Sequence, residues 1–420
     1  MVEKPYQWTG GATLEEHSKQ KHKILREYLA RYLTVRCQLP QQTRFRLAIV
    51  EGFAGGGRYA CGTAGSPIIF VEELRAATEQ FNLRRRSEGM AALDIECLLI
   101  LNDSDPGAVD ALKVNIEPVV AAAKEATTQL HLRVEYMTKP FEEAYPEIKK
   151  MIEQGRYRSV LFNLDQCGHS LIERQTLADI MRSYASAEIF YTFAIKSLLA
   201  FLQQSNPAAL AAQLSYLSLT ASDLESLQGQ MNKNAWLGAA ERLVLNAFQS
   251  CAQYVSPFSI NNPDGWRYWL IHFANAYRAR QEYNDILHNN STAQAHFGRS
   301  GLHMLSYDPA HSHPALYLFD VSGRKEAKEQ LSDDIPRLVT EFGDAISVGV
   351  LYETIYNMTP AHTDDIHAAM IEGPNLEVIT EAGGERRKGN TIAPGDTLRI
   401  KQQRSFFPMF FNPAPDRGRK

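Results

Sequence analysis

Three acidic side chains stand at the ends of apolar runs, beside residues that suit ligand chemistry. Glu51 closes "LAIV" and opens "EGFAGGGR", which places Gly52, Gly55, Gly56 and Gly57 within six residues. Asp103 and Asp105 follow "CLLILN". Asp165 follows "SVLFNL" and is succeeded by Gln166, Cys167 and Gly168. A turn needs one or two glycines; four imply that something approaches the backbone closely.

A phosphate-cradling Walker loop is excluded, because no Gly-Lys-Ser/Thr follows. A dinucleotide fingerprint needs Gly-x-Gly-x-x-Gly with a pyrophosphate at the helix N-terminus. The glycine spacing here differs, and Glu51 would repel a pyrophosphate. A carboxylate at that place suits the positively charged amino-acid end of S-adenosylmethionine. The expected cofactor set is therefore Glu51, Gly52, Phe53, Gly55 and Gly57, with Asp103 taking the ribose hydroxyls. Asp105 is the second candidate, and either aspartate could instead cap the helix that begins at Pro106. Asp165 ends a further apolar run and is a third candidate site carboxylate. Cys167 carries a sharper alternative, a thiolate nucleophile with Asp165 or His169 as its acid partner; the plainer reading is a small residue filling space.

These residues need a scaffold, and the first half of the chain supplies one. Short apolar runs at 45–50, 96–103, 130–137, 157–165 and 187–195 read as strands. Amphipathic segments at 65–81, 106–117, 141–155 and 173–185 read as the helices between them. That alternation predicts a parallel, doubly wound α/β sheet, with ligands beyond the carboxyl ends of its strands. Residues 13–36 read as a preceding helix, with Thr13 and Glu16 as a capping box. Leu25, Tyr28, Leu29 and Tyr32 form its apolar stripe, and His17, Lys19, Lys21, His22 and Lys23 read as a solvated face or, alternatively, as a lip over an anionic ligand. From 205 to 290 the pattern reads as helical, including Trp266, Trp269, Leu270 and Phe273 as a packed stripe. His303, His311 and His313 could ligate a metal, but their spacing favours a loop with structural histidines and no metal site.

Over 420 residues, 44% are hydrophobic and 22% charged, with a net charge of −4. That is a globular balance, not a polycation, so any nucleic-acid surface must be local. Five cysteines without a Cys-x-x-Cys pair argue against a disulfide framework or zinc ribbon. Without a leader-like apolar start or a run long enough to span a bilayer, the expectation is a cytoplasmic protein with no membrane partner.

The last hundred residues read as helix, helix and hairpin, the order of a winged helix-turn-helix. Residues 385–420 hold nine basic against three acidic side chains. Arg386, Arg387 and Lys388 in the hairpin loop are the candidate nucleic-acid contacts, holding phosphates rather than reading sequence. The expected division is 1–204 sheet domain, 205–325 helical or mixed connection, 326–410 winged-helix-like domain and 411–420 basic tail.

In order along the chain, "HSKQKHKILREYL", "VEGFAGGGRY", "GSPIIF", "NDSDP" and "FNLDQCG" resemble the three-Cys-motif partner protein family. The resemblance covers most of the chain; its most specific part is the glycine stretch with the downstream "GSP". It implies a Rossmann-like, class I methyltransferase fold with a C-terminal winged helix. It also implies S-adenosylmethionine as cofactor, Asp165 as the residue that positions a methyl acceptor, and a radical-SAM-like protein with three cysteines as partner. Two departures stand out. Glu51 replaces an aspartate and keeps its charge. Asp165-Gln166-Cys167-Gly168 replaces Asp-Pro-aromatic-Gly, losing the aromatic that would stack on a base. Two functions follow: a methyltransferase-like protein acting on or bound to nucleic acid together with a partner, or a catalytically degenerate fold serving as a nucleotide-sensing, DNA- or partner-binding module.

Overall fold

The computed structural model describes Trp8 and residues 11–401, apart from 167, 203–205, 226, 228–232, 262–266, 291–293, 298–301, 303–315 and 319–320. Cys167, Trp266, His303, His311, His313 and the basic tail thus lie outside the described residues.

The chain starts with α1 (Glu16–Arg36). The alternation follows as expected: β1 (Arg44–Glu51), α2 (Ser66–Ser87), β2 (Asp94–Asn102), α3 (Pro106–Ala126), β3 (Leu130–Met137), α4 (Phe141–Gln154), β4 (Ser159–Leu164), α5 (Arg174–Ser183) and β5 (Ser186–Phe193). These five strands are mutually parallel in the order 3-2-1-4-5. β1 and β4 are buried almost throughout, because helices cover both faces of the sheet. Alternate residues serve opposite cores. Ala48, Val50, Val160 and Phe162 meet α4 and α5, while Leu47, Ile49 and Leu161 meet α1, α2 and α3. The order reverses between β1 and β4, which makes their carboxyl ends the switch point where a crevice opens.

Residues 205–290 differ from the expectation. Helices α6 (Ile195–Phe201), α7 (Pro207–Gln213), α8 (Ala221–Glu225) and α9 (Lys233–Gln249) lead into β6 (Tyr254–Asn261) and β7 (Arg267–Ala274), with α10 (Tyr277–Asn289) after them. β7 pairs antiparallel with β5 and β6. The supposed helical stripe is a strand: Trp269, Ile271 and Phe273 enter one core and Leu270 the other. A strand buried on both faces gives an unbroken apolar run, and such a run also matches helical spacing. Short strands β8 (Gln294–Phe297) and β9 (Leu316–Leu318) complete nine strands. The sheet therefore does not stop at 204; the 205–325 region extends it.

The C-terminal module comprises α11 (Val321–Glu341), β10 (Ala345–Ser347), α12 (Val348–Ile355), α13 (Thr363–Glu372), β11 (Leu376–Ile379) and β12 (Thr397–Ile400). Its three strands form an antiparallel sheet ordered β10-β12-β11. Leu331, Ile335, Leu351, Ile366, Met370 and Leu398 fill its core. The turn before α13 is pinned to α10. Arg280 donates to the Tyr356 carbonyl at 2.9 Å, Asn284 to Thr359 O at 3.1 Å, and the Thr363 amide donates to Asp285 at 2.9 Å. The His362 ring caps α13 by accepting from the Asp364 amide.

Among the described residues no helix is long and apolar enough to cross a membrane, and no group of His, Cys, Asp or Glu could hold a metal ion.

Candidate functional site

β1 delivers Glu51 to the switch point fully buried. Its partner in register is Asn163 of β4, whose amide nitrogen donates to both carboxylate oxygens at 2.9–3.0 Å. Burial pushes the Glu51 carboxyl well above the ordinary glutamate range, against the opposing hydrogen bonds from Asn163 and Ser66.

The glycine loop then turns sharply. Gly55 (φ +57°) and Gly57 (φ +75°) adopt left-handed backbone that disfavours a Cβ. At Gly52 a Cβ would lie 2.7 Å from Leu164 and 2.9 Å from Phe141. At Gly55 and Gly56 the close neighbour is the Trp8 indole. Part of the glycine requirement thus comes from the chain's own Trp8 packed on the loop, a contact not legible from the loop alone. Phe53 stacks on Phe141 with centroids 6.0 Å apart.

Asp103 follows β2 and is half-buried. One carboxylate oxygen accepts the Gly55 amide at 2.8 Å and the other the Asp105 amide at 2.9 Å. Burial raises its pKa. Asp105 caps α3 by accepting the Gly107 amide, the capping role expected as its alternative. Sequence reasoning missed Asn102. Its side chain donates to the Gly52 and Lys139 carbonyls, both at 3.0 Å, and so ties β1, β2 and the β3–α4 turn together.

A second centre lies one strand over, and it corrects the solvated face assigned to α1: Lys19 and Lys23 are exposed, but the other three residues are not. Lys21, His17 and His22 are buried. Lys21 Nζ lies 2.5 and 2.8 Å from the two oxygens of Asp165, just past β4. Burial opposes charge on Asp165, but the Lys21 ammonium outweighs it and holds the carboxyl below its ordinary value. Burial and the nearby Lys21 charge lower His17 to about 4, and burial lowers His22 to about 4. His17 stacks on Tyr268 of β7 at 4.6 Å. The expected capping box is absent: the helix begins at Glu16 with Glu15 at the cap and no side-chain bond there, so Glu16 sits too early to reach back.

Asp165 thus arrives beside Asn163 and Glu51, at the switch point, but already paired. The loop that follows, with His169, borders a cleft of about 780 Å³ roofed by α6, α7 and the 3-10 turn at 215–217.

The basic hairpin is separate from these centres. Arg386 is committed to the buried Asp396 by two bonds of 2.9 and 3.1 Å, which closes the base of the β11–β12 loop. Arg387 and Lys388 are exposed. Four described cysteines, Cys37, Cys61, Cys97 and Cys251, are free thiols.

No protein-family model matches the chain, and no curated protein matches it. Among solved structures the chain is similar to a putative O-methyltransferase from Klebsiella pneumoniae, at 12% identity over 59% of this chain and 80% of that one, with a TM-score of 0.26. It is also similar to Trm1 from Pyrococcus horikoshii in complex with S-adenosyl-L-methionine, at 9% identity over 94% of this chain and 95% of that one, with a TM-score of 0.28.

Proposed function

We propose that the chain is an S-adenosylmethionine-dependent, methyltransferase-like protein. One observation carries this reading: a buried glutamate, a left-handed glycine loop and an aspartate bonded to that loop converge at the switch point of a 3-2-1-4-5 sheet. Glu51 would face the cofactor's ammonium, the glycine loop its amino-acid end, and Asp103 its ribose. The antiparallel β7 inserted between β5 and β6 agrees with a class I methyltransferase sheet. The C-terminal order of helix, strand, helix, helix and hairpin agrees with a winged helix, and its exposed Arg387 and Lys388 suit phosphate contact. The three-cysteine radical-SAM-like partner remains a proposal resting on family resemblance alone.

A second reading has an observation of its own. Asp165, the residue that would hold an acceptor, is occupied by Lys21, and the proline and aromatic beyond it are missing. A cofactor-sensing module without turnover would be built this way.

Calorimetric titration with S-adenosylhomocysteine, on the natural chain and on Asp103→Ala and Asp103→Asn variants, tests the first reading. Micromolar binding weakened in both variants supports it. An absence of binding at millimolar ligand overturns it. Slow hydrolysis or transfer from labelled cofactor by the natural chain would then separate an enzyme from a sensor.

A further inference from the structure

The cleft beyond β4 has a chemical character that the fold does not dictate. Its apolar wall is Leu171, Leu198 and Leu202, and Tyr216 and His169 supply aromatic faces. His169 sits edge-on to Phe193 and tilted against Tyr216 at 5.8 Å. Among the described residues the buried Tyr216 hydroxyl and His169 Nδ1 have no hydrogen-bond partner, and burial lowers the histidine pKa, which favours a neutral ring. Two carboxylates complete the lining, Glu142 and Glu173. Glu142 is held in a fixed orientation, accepting the Glu173 amide at 2.8 Å and the Thr176 hydroxyl at 2.6 Å, with no cation among its partners. None of the described lining residues is lysine or arginine.

We propose that this cleft binds an organic cation with an aromatic or apolar body, an amine-bearing acceptor and not a phosphodiester. Calling the occupant an acceptor rests on the methyltransferase reading; the binding itself does not. A phosphate would meet two carboxylates and no donor cation, whereas an ammonium meets carboxylates and a tyrosine face, which attract it together. Nucleic acid, if it binds through the hairpin, is then a partner and not the molecule modified.

The test uses the full chain, tyramine as the cationic probe and phenyl phosphate as an anion carrying the same ring. Ligand-observed NMR and calorimetry at low salt should show tyramine binding at least about tenfold more tightly than phenyl phosphate, a difference of about 1.4 kcal/mol. Glu142→Gln and Tyr216→Leu should each weaken tyramine by several-fold, with circular dichroism confirming the fold. Equal binding of the two probes, no tyramine binding, or binding indifferent to both substitutions would overturn the proposal. S-adenosylhomocysteine titrated in parallel keeps the two ideas apart: tyramine without homocysteine ligand leaves a cation site on a non-methyltransferase, and the reverse leaves the methyltransferase reading without this acceptor.

Discussion

Lys21 and Asp165 set the electrostatics of the inner site. Removing one member of a buried pair leaves the other unpaired, which costs 3–5 kcal/mol when fully buried. Asp165 is partly exposed, so Lys21→Met should cost roughly 1–3 kcal/mol, measured as a lower urea midpoint. The pH dependence has a defined sign. His17 and His22 have folded values near 4 against 6.5 unfolded. Their contribution is therefore complete above pH 6.5 and lost as pH falls toward 4, because the unfolded chain binds more protons. Asp165, with its value depressed, adds a loss at still lower pH. Thermal midpoints should fall steadily below pH 6.5, and less steeply in a His17→Phe, His22→Phe variant. Glu51 behaves oppositely: its raised value means that a ligand ammonium would drive its ionisation. Binding of S-adenosylhomocysteine should release protons, seen as unequal heats in buffers of different ionisation enthalpy. Equal heats would remove Glu51 from the ligand's contacts.

At the scale of elements, the glycine loop is held by geometry that a side chain breaks. Gly57 is left-handed, and a Cβ there would lie 2.6 Å from Leu112 of α3. Gly57→Ala should cost about 1–2 kcal/mol for the backbone alone, plus the displacement of α3, and should weaken ligand binding more than Gly62→Ala, where nothing crowds the Cβ. The strand ends were legible in sequence because a strand buried on both faces leaves a short apolar run, and Glu51, Asp103 and Asp165 interrupt such runs. β7 was not legible, because its apolar run also satisfies helical spacing. The buried face of α1 was not legible either. His17, Lys21 and His22 continue the apolar stripe at helical spacing, but their polar side chains read as solvated, and the partner that buries Lys21 lies 144 positions away. The length of α3 was also underread: it runs on through Pro118 to Ala126.

Over the whole molecule, α10 decides how the C-terminal module meets the sheet. Arg280, Asn284, Asp285 and His288 lie along it at helical spacing and all engage the turn between α12 and α13. Asn284→Ala removes the donor to the Thr359 carbonyl and should cost about 0.5–1.5 kcal/mol. Loosening of the seam should appear as faster amide exchange in residues 356–363, with the central strands unchanged. Unchanged exchange there would mean that the module is held by apolar contacts alone.

The placement of α1 has a consequence for how the chain is made. Its partners are Glu72 and Glu73 of α2, Asp165, Glu188 of β5, Tyr268 of β7 and Glu282 of α10. Arg31 of this helix must therefore wait for a partner 251 positions further along the chain before its charge is matched. Contacts of such sequence separation form late, and in the interval α1 presents His17, Lys21 and His22 without the groups that bury them. Ribosome-bound chains should acquire protease resistance in α1 only after β7 and α10 have emerged, so this helix settles with elements made long after it.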